Sequence, residues 1–215
     1  MYKEKNGTFN IKNLYRPRTD IQPDQILEII LLKVRSLLKS LEVYKVQKLI
    51  ILRGNSGSGK TSVAKALQEK FGPNTMLISH DMIRKEILHV WSTEGIKKSE
   101  PLMINLLKYG KENSEVTIME GILPAKEYNK LFETAVEEYG QNIFAYYYDL
   151  PFEETLFRHS TKPNRNDFGE ADMRRWWREK DYLPMISEKI IHKDLCFEDA
   201  VEMIYNQIVI NESQK

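Results

Sequence analysis

The sequence is poor in the features that would place it outside the ordinary globular class. It holds one cysteine, Cys196, so no disulfide can form within the chain, and the count argues against a zinc site built on cysteines. That usage fits a reducing, cytoplasmic setting. The first ten residues, MYKEKNGTFN, contain no apolar core of the kind a secretory signal needs. The most apolar stretch, Ile26 to Val43, is interrupted by Glu28, Lys33, Arg35, Lys39 and Glu42. It therefore reads as an amphipathic helix and not as a membrane span, which needs about 20 mostly apolar residues. Charge of one sign is also missing: 32 Lys and Arg against 31 Asp and Glu leave a formal net charge of +1. This argues against coating duplex nucleic acid by bulk charge, while leaving room for a local basic groove. No internal repeat and no low-complexity tract is present. The four histidines, His80, His89, His159 and His192, have no metal-ligand spacing, and Cys196 reads as inert.

What is present is an ordinary core composition, 41% hydrophobic and 29% charged over 215 residues. A chain of that length buries roughly 70% of its unfolded surface without help from a metal or disulfide. Residues 1–20 read as an irregular arm, followed by a helix opening at Pro23-Asp24. Short β-branched runs then alternate with helical periods. Strands are expected at Lys48–Arg53, Thr75–Ser79, Val116–Met119, Asn142–Tyr148 and within Ile186–His192. Between and after them, helices are expected over Thr61–Lys70, Met82–Val90, from Ser99-Glu-Pro101, over Pro124–Tyr139, after Asp149-Leu-Pro151, over Met173–Lys180 and over Phe197–Ile210. The alternation predicts an α/β three-layer fold with a mainly parallel five-stranded sheet. An N-terminal arm and helix (1–45) precede the main domain (46–215), which carries a lid at about 158–182.

The chemistry begins at Gly54-Asn55-Ser56-Gly57-Ser58-Gly59-Lys60-Thr61, which fits G-x-x-x-x-G-K-[ST] between an apolar strand and a helix. Glycines let the backbone wrap phosphates and turn N–H groups inward, and the helix that opens with Thr61 and Ser62 adds its positive N-terminus. Lys60 is expected to reach the β- and γ-phosphates, and the Thr61 hydroxyl to ligate Mg²⁺. These residues imply a nucleoside triphosphate, and ATP is the expected one, because the guanine reader N-K-x-D is missing. Asn129-Lys130-Leu131-Phe132 lacks its Asp.

The acceptor side is read from the ends of the other strands, where open α/β sheets gather ligands. Asp81, after the second strand, is the expected general base; its other reading is a helix cap. Arg84, three residues on, shares its face and would hold the acceptor. Glu120, ending the third strand, is placed at the metal shell or the acceptor. Arg158 and Arg165, in the basic turn-rich stretch from Arg158 to Gly169, are the lid cations expected to neutralise the moving phosphoryl group. Trp176, beside Arg174, Arg175, Trp177 and Arg178, is a candidate for stacking on substrate; Trp at helical spacing also serves as core.

On the loop, the Asp81-x-x-Arg84 pair and the lid arginines, roughly residues 47–210 resemble the small P-loop kinases of the zeta-toxin, polynucleotide-kinase and uridine-kinase-like group. Glu120-Gly121-Ile122-Leu123 is similar to the third-strand end of uridine kinases, from which the chain departs at Met82-Ile83-Arg84. The resemblance implies an ATP- and Mg²⁺-dependent phosphotransferase, with Asp81 as base and Arg84 on a substrate phosphate. The leading acceptor is a small hydroxyl metabolite, such as a nucleoside or nucleotide-sugar. The rivals are a nucleic-acid 5′-hydroxyl kinase and a toxin-like nucleotide switch with a protein partner.

Overall fold

The computed structural model describes residues 27–34, 46–91, 93–162 and 165–213. Residues 27–34 are helical, and they belong to a unit separate from the one that begins at Val46. The expected arm, and the rest of the expected first helix, lie outside the described residues.

From Val46 onward the elements alternate. They are β1 (Lys48–Gly54), α1 (Lys60–Phe71), β2 (Thr75–Ser79), α2 (His80–Met82) continued by a π turn over Ile83–Ile87, α3 (Thr93–Asn113), β3 (Val116–Gly121) and α4 (Asn129–Tyr139). Then come β4 (Ile143–Tyr148), α5 (Phe152–Ser160), α6 (Glu170–Trp176), β5 (Glu188–Ile191) and α7 (Phe197–Ser213). All strand pairings are parallel, in the order β2-β3-β1-β4-β5. Among the described residues no helix is long and apolar enough to cross a membrane.

β1 is buried along its whole length, which explains its unbroken apolar run: strands covered on both faces have no solvent side to alternate with. Its odd and even residues feed two cores. Leu49 and Ile51 face Leu107 of α3 and Phe132 and Ala135 of α4, while Ile50 and Leu52 face Val63 and Leu67 of α1 and Ile204 and Ile208 of α7. The sheet is thus sandwiched between two helical layers. β1 lies between β3 and β4, so the strand order reverses at the point where the glycine loop leaves the sheet.

Several boundaries differ from expectation, each for a tertiary reason. α3 begins at Thr93 and runs through Pro101, which the sequence marks as a helix start. The earlier turns hold because Gly95 packs against Val90 and Arg84, and Ser99 is buried on Tyr128. The helix expected over Met82–Val90 closes as a π turn, with Leu88 N–H donating to Ile83 O (2.9 Å). The helix expected over Met173–Lys180 is shifted toward the N-terminus and ends at Trp176. The Arg178 N–H, which would continue it, donates instead to Asn55.

The end of β1 carries Arg53, which is fully buried (0% exposed). Its guanidinium donates to Leu123 O (3.0 and 2.9 Å), to both Glu188 oxygens (2.9 and 3.0 Å) and to Asp181 (2.8 Å). Phe132 and Tyr147 lie beside it, 5.2 and 5.6 Å from ring centroid to Cζ. Burial pushes the Glu188 carboxyl up despite Arg53. Removing the cation strands two carboxylates, so Arg53→Met is expected to lower unfolding stability by about 3–5 kcal/mol. The loss should shrink at acid pH: a carboxyl raised in the folded state takes its proton before the unfolded one does. Urea unfolding at pH 7.5 and pH 5 checks both, and a loss below about 1 kcal/mol at pH 7.5 would contradict the buried-pair argument.

Candidate functional site

The loop between β1 and α1 has the backbone its glycines allow. Gly54 and Gly57 have φ of 144° and 82°. A Cβ on Gly57 would stand 2.4 Å from Thr155 O, and one on Gly54 would stand 2.8 Å from the Tyr148 Cβ. The loop is therefore pressed against β4 and α5, and no side chain fits at either position.

Lys60, at the start of α1, is buried, and its ammonium donates to Asn55 O (3.1 Å). Burial lowers its pKa, with Glu120 and Asp81 acting the other way. The next residue, Thr61, donates from Oγ1 to Glu120 Oε2 (3.0 Å), and Ser79 donates to Glu120 Oε1 (2.5 Å). Glu120 and Ser79 are register partners on β3 and β2. The carboxylate is thus fixed by one hydroxyl from the neighbouring strand and one from the phosphate helix. Thr61 and Glu120 form the hard oxygen donor set that suits Mg²⁺. Among the described residues no group of three or more His, Cys, Asp or Glu could hold a metal, so a cation here would complete its shell with phosphate and water oxygens.

Asp81 stands where β2 passes into α2. Its side chain is 60% exposed and accepts from Lys85 Nζ (3.0 Å). Desolvation would raise its carboxyl, but Lys85, His80 and Lys60 hold it below the usual range. The backbone beneath it is braced. His80 packs on Gly121 and shares a hydrogen bond with the Tyr128 hydroxyl (2.6 Å), which is bonded in turn to Ser99 (2.9 Å). Burial drives His80 down to about 4, so it is neutral at physiological pH.

Two cations that sequence reasoning did not assign face this centre. Lys85 pairs with Asp81. Lys162, past the end of α5, is half-buried; burial lowers its pKa while Glu120 and Asp81 oppose that. Helical spacing was the available signal for Lys85, since i and i+4 share a face. Arg84, the expected acceptor contact, lies against Gly95, and its Nε is buried with no hydrogen-bond partner among the described residues.

The lid residues divide. Arg158 donates to Ser58 O of the loop (3.1 Å) and to Glu154 (2.6 Å). It borders a cleft of about 430 Å³ together with Gly57–Gly59, Ser62, Lys162 and the segment Lys193–Phe197. Arg165 does not join it: that residue is exposed, and its side chain makes no hydrogen bond or ion pair among the described residues. Trp176 packs edge-on against Phe168 (5.2 Å), which stacks on His159 (4.3 Å), so these contacts lie within the segment 158–182 expected to form a lid. The Asn55 side chain, expected at the nucleotide, is bonded to the backbone of Arg178. Cys196 is exposed at the cleft rim.

Among solved structures, the fold is similar to a shikimate kinase from Acinetobacter baumannii in complex with shikimate. That match has 17% identity, covers 81% of this chain and 99% of that one, and has a TM-score of 0.53. A gluconokinase from Sinorhizobium meliloti 1021 matches at 16% identity, over 79% of this chain and 95% of that one, with a TM-score of 0.52. The APS kinase of Mycobacterium tuberculosis in complex with AMPPNP and APS matches at 18% identity, over 79% and 98%, with a TM-score of 0.51. These likenesses establish the P-loop kinase fold. No curated protein matches the chain at a significant level. The family model described as zeta toxin matches residues 36–144, half of the chain, and the chain belongs to the zeta toxin family.

Proposed function

We propose that the protein moves the γ-phosphate of ATP, with Mg²⁺, to a hydroxyl of a small metabolite such as a nucleoside or nucleotide-sugar. The observation that carries this reading is the convergence of three strand ends. The glycine loop with Lys60 follows β1, Asp81 follows β2, and Glu120, bonded to Thr61, ends β3. A triphosphate on the loop would meet Lys60 and the N-terminus of α1. Thr61 and Glu120 would hold Mg²⁺, which when bound would supply positive charge to the phosphate oxygens. Asp81 is the base for the acceptor hydroxyl, and Lys85 keeps it ionised. Lys162 and Arg158 supply positive charge from the lid. The kinases among solved structures of this fold support the reaction class, and the family match supports a toxin-like acceptor as readily as a housekeeping one.

The test uses ATP labelled at the γ-phosphate, Mg²⁺ and a deproteinised metabolite extract, with products separated by mass. A labelled small molecule is expected with the wild-type protein and not with Asp81→Asn. Label released only as free phosphate would overturn the reading, and label appearing on added oligonucleotide 5′ ends would replace it with the nucleic-acid kinase.

A further inference from the structure

Residues 177–187, between α6 and β5, have no regular structure, so their backbone polar groups must find partners elsewhere. At Arg178 both groups find the same one. Asn55 Nδ2 donates to Arg178 O (2.7 Å), and Asn55 Oδ1 accepts from Arg178 N–H (2.8 Å). Both halves of the amide are consumed, and Asn55 is 6% exposed. The carbonyl of the same residue accepts from Lys60 Nζ (3.1 Å) and from Ser58 N–H (3.3 Å). Asn55 therefore joins the phosphate lysine to the residue at which the lid helix has ended. Three residues further on, Asp181 is gripped by Arg53, two positions before Asn55 on the loop side. On the other flank, Arg158 holds Ser58 O.

We propose that Asn55 is a positioning residue: it latches the C-terminal root of the lid to the phosphate loop and fixes the pivot of the lid at Trp177–Arg178. The segment between the roots then moves about points tied to the loop that holds the nucleotide, and a closed lid keeps water from the γ-phosphate. The sealing role rests on the phosphotransfer reading; the latch does not. The side chain suits this task. One carboxamide donates and accepts in the same plane, matching a backbone N–H and C=O together, whereas a carboxylate would face Arg178 O without a proton to offer.

The test compares wild type, Asn55→Ala and Asn55→Asp in the full chain. Hydrogen–deuterium exchange reads the Arg178 amide, and phosphate release from ATP·Mg²⁺ without acceptor reads the seal. Asn55→Ala should raise exchange at Arg178 at least about tenfold, the worth of one or two buried hydrogen bonds. Asn55→Asp, which keeps an acceptor, should retain most of the protection. Acceptor-free hydrolysis should rise with the exchange, in the order wild type, Asp, Ala. Unchanged exchange in Asn55→Ala overturns the latch. Raised exchange with unchanged hydrolysis overturns its sealing role. If no form turns ATP over, the exchange result still decides the latch, and the phosphotransfer reading is the one that has failed.

Discussion

Lys60→Met is expected to cut phosphoryl transfer by about 100- to 1,000-fold, the usual cost of removing one preorganised donor from a developing charge. Without nucleotide, the same variant should melt at the wild-type temperature or above it. The two effects have one cause. Burial lowers the Lys60 pKa, so without nucleotide the ammonium's hydrogen bond to Asn55 O does not replace its lost water. Methionine keeps most of the stem and removes that desolvation cost. The sign follows from linkage. A lysine lowered in the folded state costs stability at neutral pH, and the cost is relieved as pH rises through its folded pKa. Triphosphate offsets the cost by giving the ammonium an anionic partner. The rise in melting temperature on adding ATP·Mg²⁺ should therefore vanish in the variant. Thermal melts with and without nucleotide, beside transfer rates, check both halves; a melting temperature well below wild type without nucleotide would contradict the desolvation argument.

The sequence carried the strands and the loop because their causes are local. Lys48–Gly54 is buried on both faces, so its composition alone marks it, and the glycine loop is written in consecutive residues. Features decided by distant partners left no such mark. Arg53 reads as the polar end of a strand, yet its carboxylate partners lie 128 and 135 residues away. Asn55 reads as one more loop residue, and nothing near it announces Arg178. That contact also sets the end of α6, which explains why the expected helix there ran too far. The start of α3 was hidden by Gly95, Ser99 and Pro101, three weak helix formers whose place is fixed by close packing and the buried Tyr128 hydroxyl. Strand-end position was enough to place Asp81 and Glu120 beside the loop, where Glu120 meets Thr61. Lys162 was not singled out, because its nearness to Glu120 and Asp81 comes from tertiary placement that spacing does not encode.

Asp81→Asn is expected to lower transfer by about 100- to 10,000-fold, the range assigned to a positioned general base. Binding of ATP·Mg²⁺ should change little, because the nucleotide contacts proposed here come from the loop, Thr61 and Glu120. The pH profile separates a base from a mere anchor. Desolvation would raise the Asp81 carboxyl, and Lys85, His80 and Lys60 together outweigh it, so the group stays ionised below the ordinary aspartate range. A base depressed in this way keeps its charge from neutral pH down through about pH 5, and the wild-type rate should be flat over that interval. Lys85→Met removes the 3.0 Å partner and most of the depression. In that variant the acid limb should move up into the measurable range while the neutral-pH rate changes far less than in Asp81→Asn. An acid limb that stays put in Lys85→Met, or a transfer rate in Asp81→Asn within about threefold of wild type, would remove Asp81 from the chemistry. It would then be a first-turn acid of α2 paired with Lys85, and the proton would have to leave the acceptor by another route.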